Sequence, residues 1–170
     1  MESASLIARE AWKLAEAGSV DEAIARYQRA LEIADDAIDD LWHIHGEFGA
    51  VLAKAQQFER AIEQHRASAR AALRKGELAN STGVQVERYF AASLLLHLGK
   101  PTEALAEIST VLSGGDVQPF VRSVEAEALY LLGQRDRASI AARKAIDSAR
   151  NEEQRERLRE QLKRILADGA

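Results

Sequence analysis

The sequence predicts an all-α protein made of helical hairpins that stack side by side. The chain of 170 residues is 46% hydrophobic and 29% charged, a balance typical of a folded globular protein. Helix-favouring Ala, Leu, Glu and Arg dominate, whereas proline occurs only twice. A glycine followed five residues later by an alanine recurs along the chain, and such internal repetition is typical of stacked structural units.

The recurring element is the joint of a hairpin. Its glycine permits the positive φ that ends a helix. Small residues seven positions before and five positions after that glycine let the two helices approach closely. The three clear copies are Ala11, Gly18 and Ala23; Ala92, Gly99 and Ala104; and Ala126, Gly133 and Ala138.

A weaker fourth copy lies between the first and second clear ones. Gln56 replaces the glycine at this joint, while Gly49 and Ala61 keep the small positions and Phe58 and Ile62 supply apolar side chains. We therefore predict four hairpins rather than three.

Local signals set the predicted helix bounds. The acidic run at 35–40 would place like charges at i,i+4 in a continuous helix, so a break is expected there. Pro101 and Pro119 suit first helical positions, and Thr82 and Gln85 have the spacing of a capping box. The predicted helices are 3–17, 20–35, 40–55, 58–75, 83–98, 101–113, 117–132, 135–149 and 151–168.

The ninth helix differs from the others because it is apolar on one side only. Asn151 can cap its start. Leu158, Leu162, Ile165 and Leu166 form a single stripe among charged residues. We expect this helix to cover the last apolar face of the stack.

Two-helix units with this joint resemble tetratricopeptide repeats (TPRs). The segment 18–33, GSVDEAIARYQRALEI, is similar to the second helix of the TPR consensus, with Ala23, Tyr27, Ala30 and Leu31 at its small and aromatic positions. The resemblance implies a right-handed α–α superhelix, a TPR solenoid, of about four hairpins and a capping helix. We predict a single TPR domain over 1–170, with repeats at about 4–37, 38–80, 82–115 and 117–150 and the capping helix at 151–168.

In TPR proteins the first helices of the hairpins line a concave groove, so the resemblance implies a protein- or peptide-binding face. Most aromatic residues of this chain fall on predicted first helices, and aromatic anchors dominate binding energy at interfaces. The alternative is a core position, which we expect for Trp42 and Phe48 and leave open for Trp12, Tyr89 and Phe120. The predicted binding residues are Arg9, Trp12, His43, Glu47, Tyr89, Phe90, Ser93, His97, Phe120, Glu127 and Tyr130, with Ser5, Ala8, Glu16, Ala50 and Lys54 along the same face.

The best-known TPR groove binds a C-terminal carboxylate through Lys and Asn. The matching positions here hold Ala8, Trp12, Glu47 and Val86. The resemblance therefore predicts no carboxylate clamp.

The sequence offers no chemistry for catalysis or for a metal. It contains no cysteine and no zinc-protease, P-loop or dinucleotide-binding motif. His43 and His45 would point about 200° apart on a helix, so they cannot hold one ion together. We predict no enzymatic activity, no metal and no cofactor.

Charge and hydropathy limit the partners and the location. The net charge is −4 at pH 7, so the chain gains nothing from neutralising phosphates and nucleic acid is not an expected partner. No run of 18 apolar residues predicts a membrane span, and the charged N-terminal segment has no signal-peptide pattern. We expect a cytoplasmic protein.

Three functions fit these observations. The first is a non-enzymatic scaffold that holds a protein or peptide in an aromatic-lined groove. The second is a peptide-sensing regulatory TPR domain that changes curvature on binding. The third is a self-associating oligomerisation module, in which the basic stretch 143–164 meets the acidic run 35–40 of another copy.

Overall fold

A computed structural model describes residues 3–35 and 40–169, and these residues form nine α-helices. The bounds differ from the predicted ones by at most two residues, and the all-α prediction is confirmed. Residues 36–39 of the acidic run lie outside the described residues. Within the described chain no helix combines the length and apolarity that crossing a membrane requires. The helices are α1 (Ala4–Glu16), α2 (Val20–Ile33), α3 (Leu41–Lys54), α4 (Phe58–Arg74), α5 (Thr82–His97), α6 (Pro101–Leu112), α7 (Pro119–Leu131), α8 (Arg135–Asp147) and α9 (Glu152–Asp168).

The four predicted joints share one hydrogen-bond pattern. In the first hairpin the Gly18 N–H donates to the Ala15 carbonyl at 3.2 Å, and the Ser19 N–H donates to the Leu14 carbonyl at 2.9 Å. This pair of bonds satisfies the last carbonyls of α1 and requires a left-handed residue after the helix. The same bonds close α3, α5 and α7. The left-handed residues are Gly18 (φ 88°), Gln56 (φ 59°), Gly99 (φ 71°) and Gly133 (φ 75°).

The chain folds as two compact units, residues 1–77 and 78–170. In the first unit α1 packs on α2, α2 on α3 and α3 on α4, and α1 also contacts α3. In the second unit α5, α6, α7 and α8 pack in the same order, and α5 also contacts α7. The first helices of successive hairpins therefore lie side by side within each unit. A single domain over the whole chain stays a prediction.

Small residues let the two helices of a hairpin approach closely. Ala11 and Ala23 are fully buried at the crossing of α1 and α2. At the crossing of α3 and α4, a Cβ on Gly49 would lie 2.9 Å from the imidazole of His65, and His65 is only 2% exposed. Gly49 therefore makes room for a ring at a position where the other hairpins carry alanine.

Helix α9 covers the end of the second unit, as predicted. Leu158, Leu162 and Ile165 are buried in one cluster with apolar side chains of α7 and α8. Asn151 caps the helix, since its side-chain oxygen accepts a hydrogen bond from the Gln154 N–H at 2.8 Å. The stripe that the sequence shows is thus the contact face of the cap.

The predicted capping box at the start of α5 is wrong. Ser81 is the N-cap, with an extended backbone and a side-chain oxygen that accepts a hydrogen bond from the Val84 N–H. Thr82 is the first helical residue. The reason is that Gln85 is fully buried and its amide bonds elsewhere.

Gln85 joins α5 to the segments on either side of it. Its Nε2 donates to the carbonyls of Asn80 at 2.7 Å and Asp116 at 2.6 Å. Its Oε1 accepts from the Gln118 N–H at 2.8 Å. One side chain thereby fixes the segment before α5 and the connection from α6 to α7, which sets α5 beside α7.

Candidate functional site

A groove runs between α1 and α3 in the first unit. It consists of a cavity of about 250 Å³ and a second cavity of about 160 Å³, and Trp12 borders both. We call the residues around both cavities the α1/α3 groove. The larger cavity is lined by Ser5, Ala8, Arg9, Trp12, Asp40, His43, Ile44 and Glu47, and the smaller by Trp12, Ala15, Glu16, Ala50, Val51 and Lys54.

The structure brings together the groove residues predicted for the first two repeats. Arg9 and Trp12 come from α1, and His43 and Glu47 come from α3. The parallel first helices place these side chains on one wall because α1 contacts α3 directly. Trp12 stays 38% exposed at this wall, so its ring is available to a partner.

The two histidines of α3 lie on different faces of that helix. His43 is exposed in the groove, and its ring lies against the Trp42 ring, tilted by 33° with the centroids 3.6 Å apart. His45 lies toward α4, where its Nδ1 is 2.7 Å from Gln64 Oε1. Among the described residues, no three His, Asp or Glu side chains form a group that could hold a metal ion.

A buried tyrosine holds the Glu47 carboxylate in the groove. The Tyr27 hydroxyl donates to Glu47 Oε2 at 3.1 Å. Tyr27 is fully buried, and its ring stacks on the buried ring of Phe48 with centroids 5.3 Å apart. Burial, and then the negative charge of Glu47, raise the pKa of the Tyr27 phenol, so the hydroxyl keeps its proton and remains a donor.

Tyr27 is a residue whose role at the site the sequence reasoning missed. The sequence predicts only an aromatic position on a second helix, which implies packing. The signal for its polar role is only that a tyrosine, and not a phenylalanine, stands at a buried position, since a buried hydroxyl requires a partner.

A hydrogen bond joins α1 to the α3 side of the α1/α3 groove at each of its two ends. At one end, Ser5 Oγ donates to Asp40 Oδ2 at 3.1 Å. At the other end, Lys54 Nζ donates to the Ala15 carbonyl at 3.1 Å. A lysine at this place neutralises the negative end of α1, so its ammonium is already engaged within the chain.

In the second unit, α5 and α7 share an aromatic cluster. Tyr89 lies between Phe90 and Phe120, with ring centroids 5.3 Å and 5.1 Å away. Tyr89 and Phe120 are half-buried, whereas Phe90 is 43% exposed. Two further predicted residues of α5 lie one and two turns on, Ser93 half-buried and His97 exposed.

The remaining two predicted binding residues of α7 contact the capping helix. Gln161 Nε2 donates to Glu127 Oε1 at 2.6 Å. The Tyr130 hydroxyl donates to Asp168, and the Arg135 guanidinium lies over the Tyr130 ring, 3.8 Å from its centroid. These contacts occupy the polar atoms that a partner would use, and a binding role for the two residues stays a prediction.

A buried ion pair in the second unit was also missed by the sequence reasoning. Arg88 of α5 bonds to Glu107 of α6, whose side chain is only 4% exposed. Among the described residues, Arg88 Nε is buried without a hydrogen-bond partner. Because a charge on a predicted helix is equally consistent with a solvated face, no sequence signal marked this pair.

Comparison with solved structures shows the fold. The chain is similar to the MamA RS-1 ArsTM double mutant, with a TM-score of 0.71 and 15% identity over 99% of this chain and 89% of that one. It is also similar to MamA 41-end from Desulfovibrio magneticus RS-1, with a TM-score of 0.69 and 14% identity over 98% and 95% of the two chains. YrrB, described as a TPR protein with an unusual peptide-binding site, gives a TM-score of 0.65 and 18% identity over 98% and 86%. The chain has the TPR fold.

The TPR fold confirms the resemblance inferred from the joints and from the segment 18–33. It is shown by structure alone, since no family model and no curated protein matches the sequence. At identities of 14–18%, the comparison shows a shared helical fold.

Proposed function

We propose that this TPR chain is a non-enzymatic scaffold that binds a protein or peptide segment in the α1/α3 groove. The observation that carries the proposal is the pair of adjoining cavities with Trp12 exposed between them. Tryptophan is enriched among the residues that dominate binding energy at interfaces. The peptide-binding site named for YrrB supports the same use of the fold.

The second unit offers a further contact surface in this proposal. Phe90 is the most exposed ring of the aromatic cluster, and Tyr89 and Phe120 support it from α5 and α7. Aromatic side chains bury large areas at little cost in side-chain entropy, which favours them at interfaces. We expect this cluster to serve as a separate contact surface for a protein partner.

A selection followed by a binding measurement tests the groove assignment. The full chain is used to select peptides from a random phage-displayed library, and an enriched peptide is synthesised with a fluorophore. Trp12→Ala should weaken its binding by about 30-fold in Kd, corresponding to about 2 kcal/mol. Fluorescence polarisation gives Kd, and far-UV circular dichroism checks that the variant keeps its helices.

Leu6→Ala is the matched control. Leu6 is on the same helix and is 44% exposed, but it lines neither cavity. We expect this variant to bind like the unchanged chain. An unchanged affinity in Trp12→Ala, or an equal loss in Leu6→Ala, would refute the assignment.

The self-association alternative depends on free positive charge in the stretch 143–164. Four of its cations are already paired with carboxylates of α9, namely Arg155, Arg157, Arg159 and Lys163. These pairs reduce the attraction of the stretch for an acidic surface. We therefore expect a monomer by light scattering at both low and high salt, whereas a salt-sensitive oligomer would favour the alternative.

The regulatory alternative requires a change in curvature when a peptide binds. X-ray scattering of the full chain with and without the selected peptide distinguishes it from a static scaffold. We expect superimposable profiles, and a ligand-dependent change in the radius of gyration would favour the sensor.

A further inference from the structure

We propose that the α1/α3 groove selects an extended peptide that carries a lysine or arginine two or three positions from an apolar residue. This inference rests on the proposed function and adds the chemistry of the peptide. The basic side chain lies in the larger cavity, where Asp40 and Glu47 each offer a carboxylate. The apolar side chain lies against Trp12, Ala50 and Val51 in the smaller one.

The two carboxylates of the larger cavity are positioned in the same way. One oxygen of Asp40 accepts from Ser5 Oγ, and one oxygen of Glu47 accepts from the Tyr27 hydroxyl, each at 3.1 Å. Among the described residues, the second oxygen of each carboxylate accepts no hydrogen bond. A carboxylate held by a hydroxyl and open on its other side is a pre-positioned acceptor for an ammonium or guanidinium group.

The charge balance of the groove favours a cation. Asp40, Glu47 and Glu16 contribute three negative charges, whereas Arg9 and Lys54 contribute two positive ones. Lys54 is engaged by a backbone carbonyl at the end of α1. Arg9 is exposed, and its guanidinium can donate to the backbone carbonyls of an extended peptide. An acidic peptide would meet both open carboxylates instead, and like charges at this range oppose binding.

The surface of the smaller cavity suits an apolar side chain. Val51 is buried at its base, Trp12 forms one side, and Ala50 is exposed at the rim. Ala8 and Ile44 carry the apolar surface of the larger cavity, along which the methylene stem of a lysine or arginine can lie.

Helix geometry sets the distance between the two side chains of the peptide. The lining residues of the two cavities are offset by about seven residues along α1 and α3, which is about 10 Å at 1.5 Å per residue. An extended or polyproline II chain advances about 3.1–3.4 Å per residue. Two to three residues of peptide, together with the reach of a long basic side chain, therefore cover the offset.

The test begins with the phage-selected peptides and the full chain. Peptides enriched on the unchanged protein should carry Lys or Arg two or three positions from Leu, Ile, Phe or Trp. In a synthetic peptide, changing that basic residue to Gln should weaken binding at least about tenfold. Glu47→Gln should cause a similar loss with the basic peptide and almost none with the Gln-substituted peptide, because the same interaction is then already absent.

Glu47→Gln removes the charge and keeps the local packing, and a matched control variant is available. Glutamine keeps a side-chain oxygen for the Tyr27 hydroxyl, so the packing of α2 against α3 is retained. Glu10→Gln is the matched control, since Glu10 lies on α1 outside both cavities and pairs with Arg26 at 3.5 Å. We expect Glu10→Gln to bind the basic peptide with unchanged Kd.

Each outcome decides the inference. Peptides that lose binding in Trp12→Ala but carry no basic residue, or carry Asp or Glu in its place, overturn the inference and leave the proposed function standing. If no selected peptide is sensitive to Trp12→Ala, the proposed function fails and the inference fails with it. Selection of the basic–apolar pattern with loss in Glu47→Gln supports both.

Discussion

Replacing Gln85 by leucine removes three hydrogen bonds from the interior of the second unit. The side chain is fully buried, and leucine has a similar volume without a donor or acceptor. The Gln118 N–H and the carbonyls of Asn80 and Asp116 lose their bonds to the amide. The perturbation is therefore a loss of polar pairing at nearly constant packing.

The loss in the free energy of unfolding depends on how exposed the three backbone groups are that lose their hydrogen bonds to Gln85. An unpaired buried group costs about 1–3 kcal/mol. Gln118 is only 6% exposed, so its N–H finds no water and the full cost applies. Asp116 is exposed and Asn80 is half-buried, so water can partly replace the bonds to their carbonyls. We expect a total loss of about 3 kcal/mol in the free energy of unfolding.

Urea unfolding followed by circular dichroism measures this loss, and hydrogen exchange of the Gln118 amide locates it. Gln161→Leu is the matched control because Gln161 is exposed and makes one side-chain bond, to Glu127. That control should lose less than about 0.5 kcal/mol. A loss of less than about 1 kcal/mol in Gln85→Leu, or a loss no larger than in the control, would show that the hydrogen bonds of Gln85 do not stabilise the second unit.

Three further predictions concern stability and use the same urea unfolding measurement. Gly49→Ala should cost about 1–3 kcal/mol because its methyl meets the His65 ring. In a His65→Ala background the same change should become neutral or favourable by about 0.5–1 kcal/mol, since alanine is the better helix former; an equal cost in both backgrounds contradicts the contact. Gln56→Gly should stabilise the chain by about 0.5–1 kcal/mol, because glycine relieves the left-handed φ of 59° at that joint, and a loss of stability would show that the residue is unstrained. Glu107→Leu should cost about 3 kcal/mol by leaving the Arg88 charge without its partner. Adding Arg88→Met should recover at least half of that loss, and full additivity of the two changes would show that the pair does not interact.

The helices and their order could be predicted because the signals for them are local. Gly18 and its counterparts end helices through their own backbone conformation, and Asn151 caps α9 through a bond to a residue three positions on. The joint at Gln56 forms although it lacks the glycine of the other three joints, so the hairpin does not depend on that one residue. Glutamine adopts the left-handed conformation there because the flanking helices pack in the same way as in the other hairpins.

The contacts of the site could be predicted only in part. The alignment with TPR repeats predicted that Trp12 and Glu47 share one wall, and both line the larger cavity. The bond from Tyr27 to Glu47 joins residues 20 positions apart, and no sequence pattern encodes that pairing. The hydrogen bonds from Gln85 to Asp116 and Gln118 likewise join residues 31 and 33 positions apart, and no sequence pattern encodes them.

The polar contacts between α7 and α9 could not be predicted from the alignment of repeats. Glu127 and Tyr130 fall on the predicted binding face by repeat alignment. The cap covers that face at the end of a stack, so Gln161 and Asp168 meet them first. Repeat periodicity describes the inner hairpins and does not describe a terminal one, whose neighbour is a helix of another kind.

The central claim is that α1 and α3 form the binding wall of the first unit. It is tested most directly by nuclear magnetic resonance of the labelled full chain, titrated with a peptide selected on the unchanged protein. We predict saturable shifts at the Trp12 indole and at backbone amides of His43, Glu47 and Ala50, with none in α4. Saturable shifts confined to α4 or α9, with the Trp12 indole unmoved, would contradict the account.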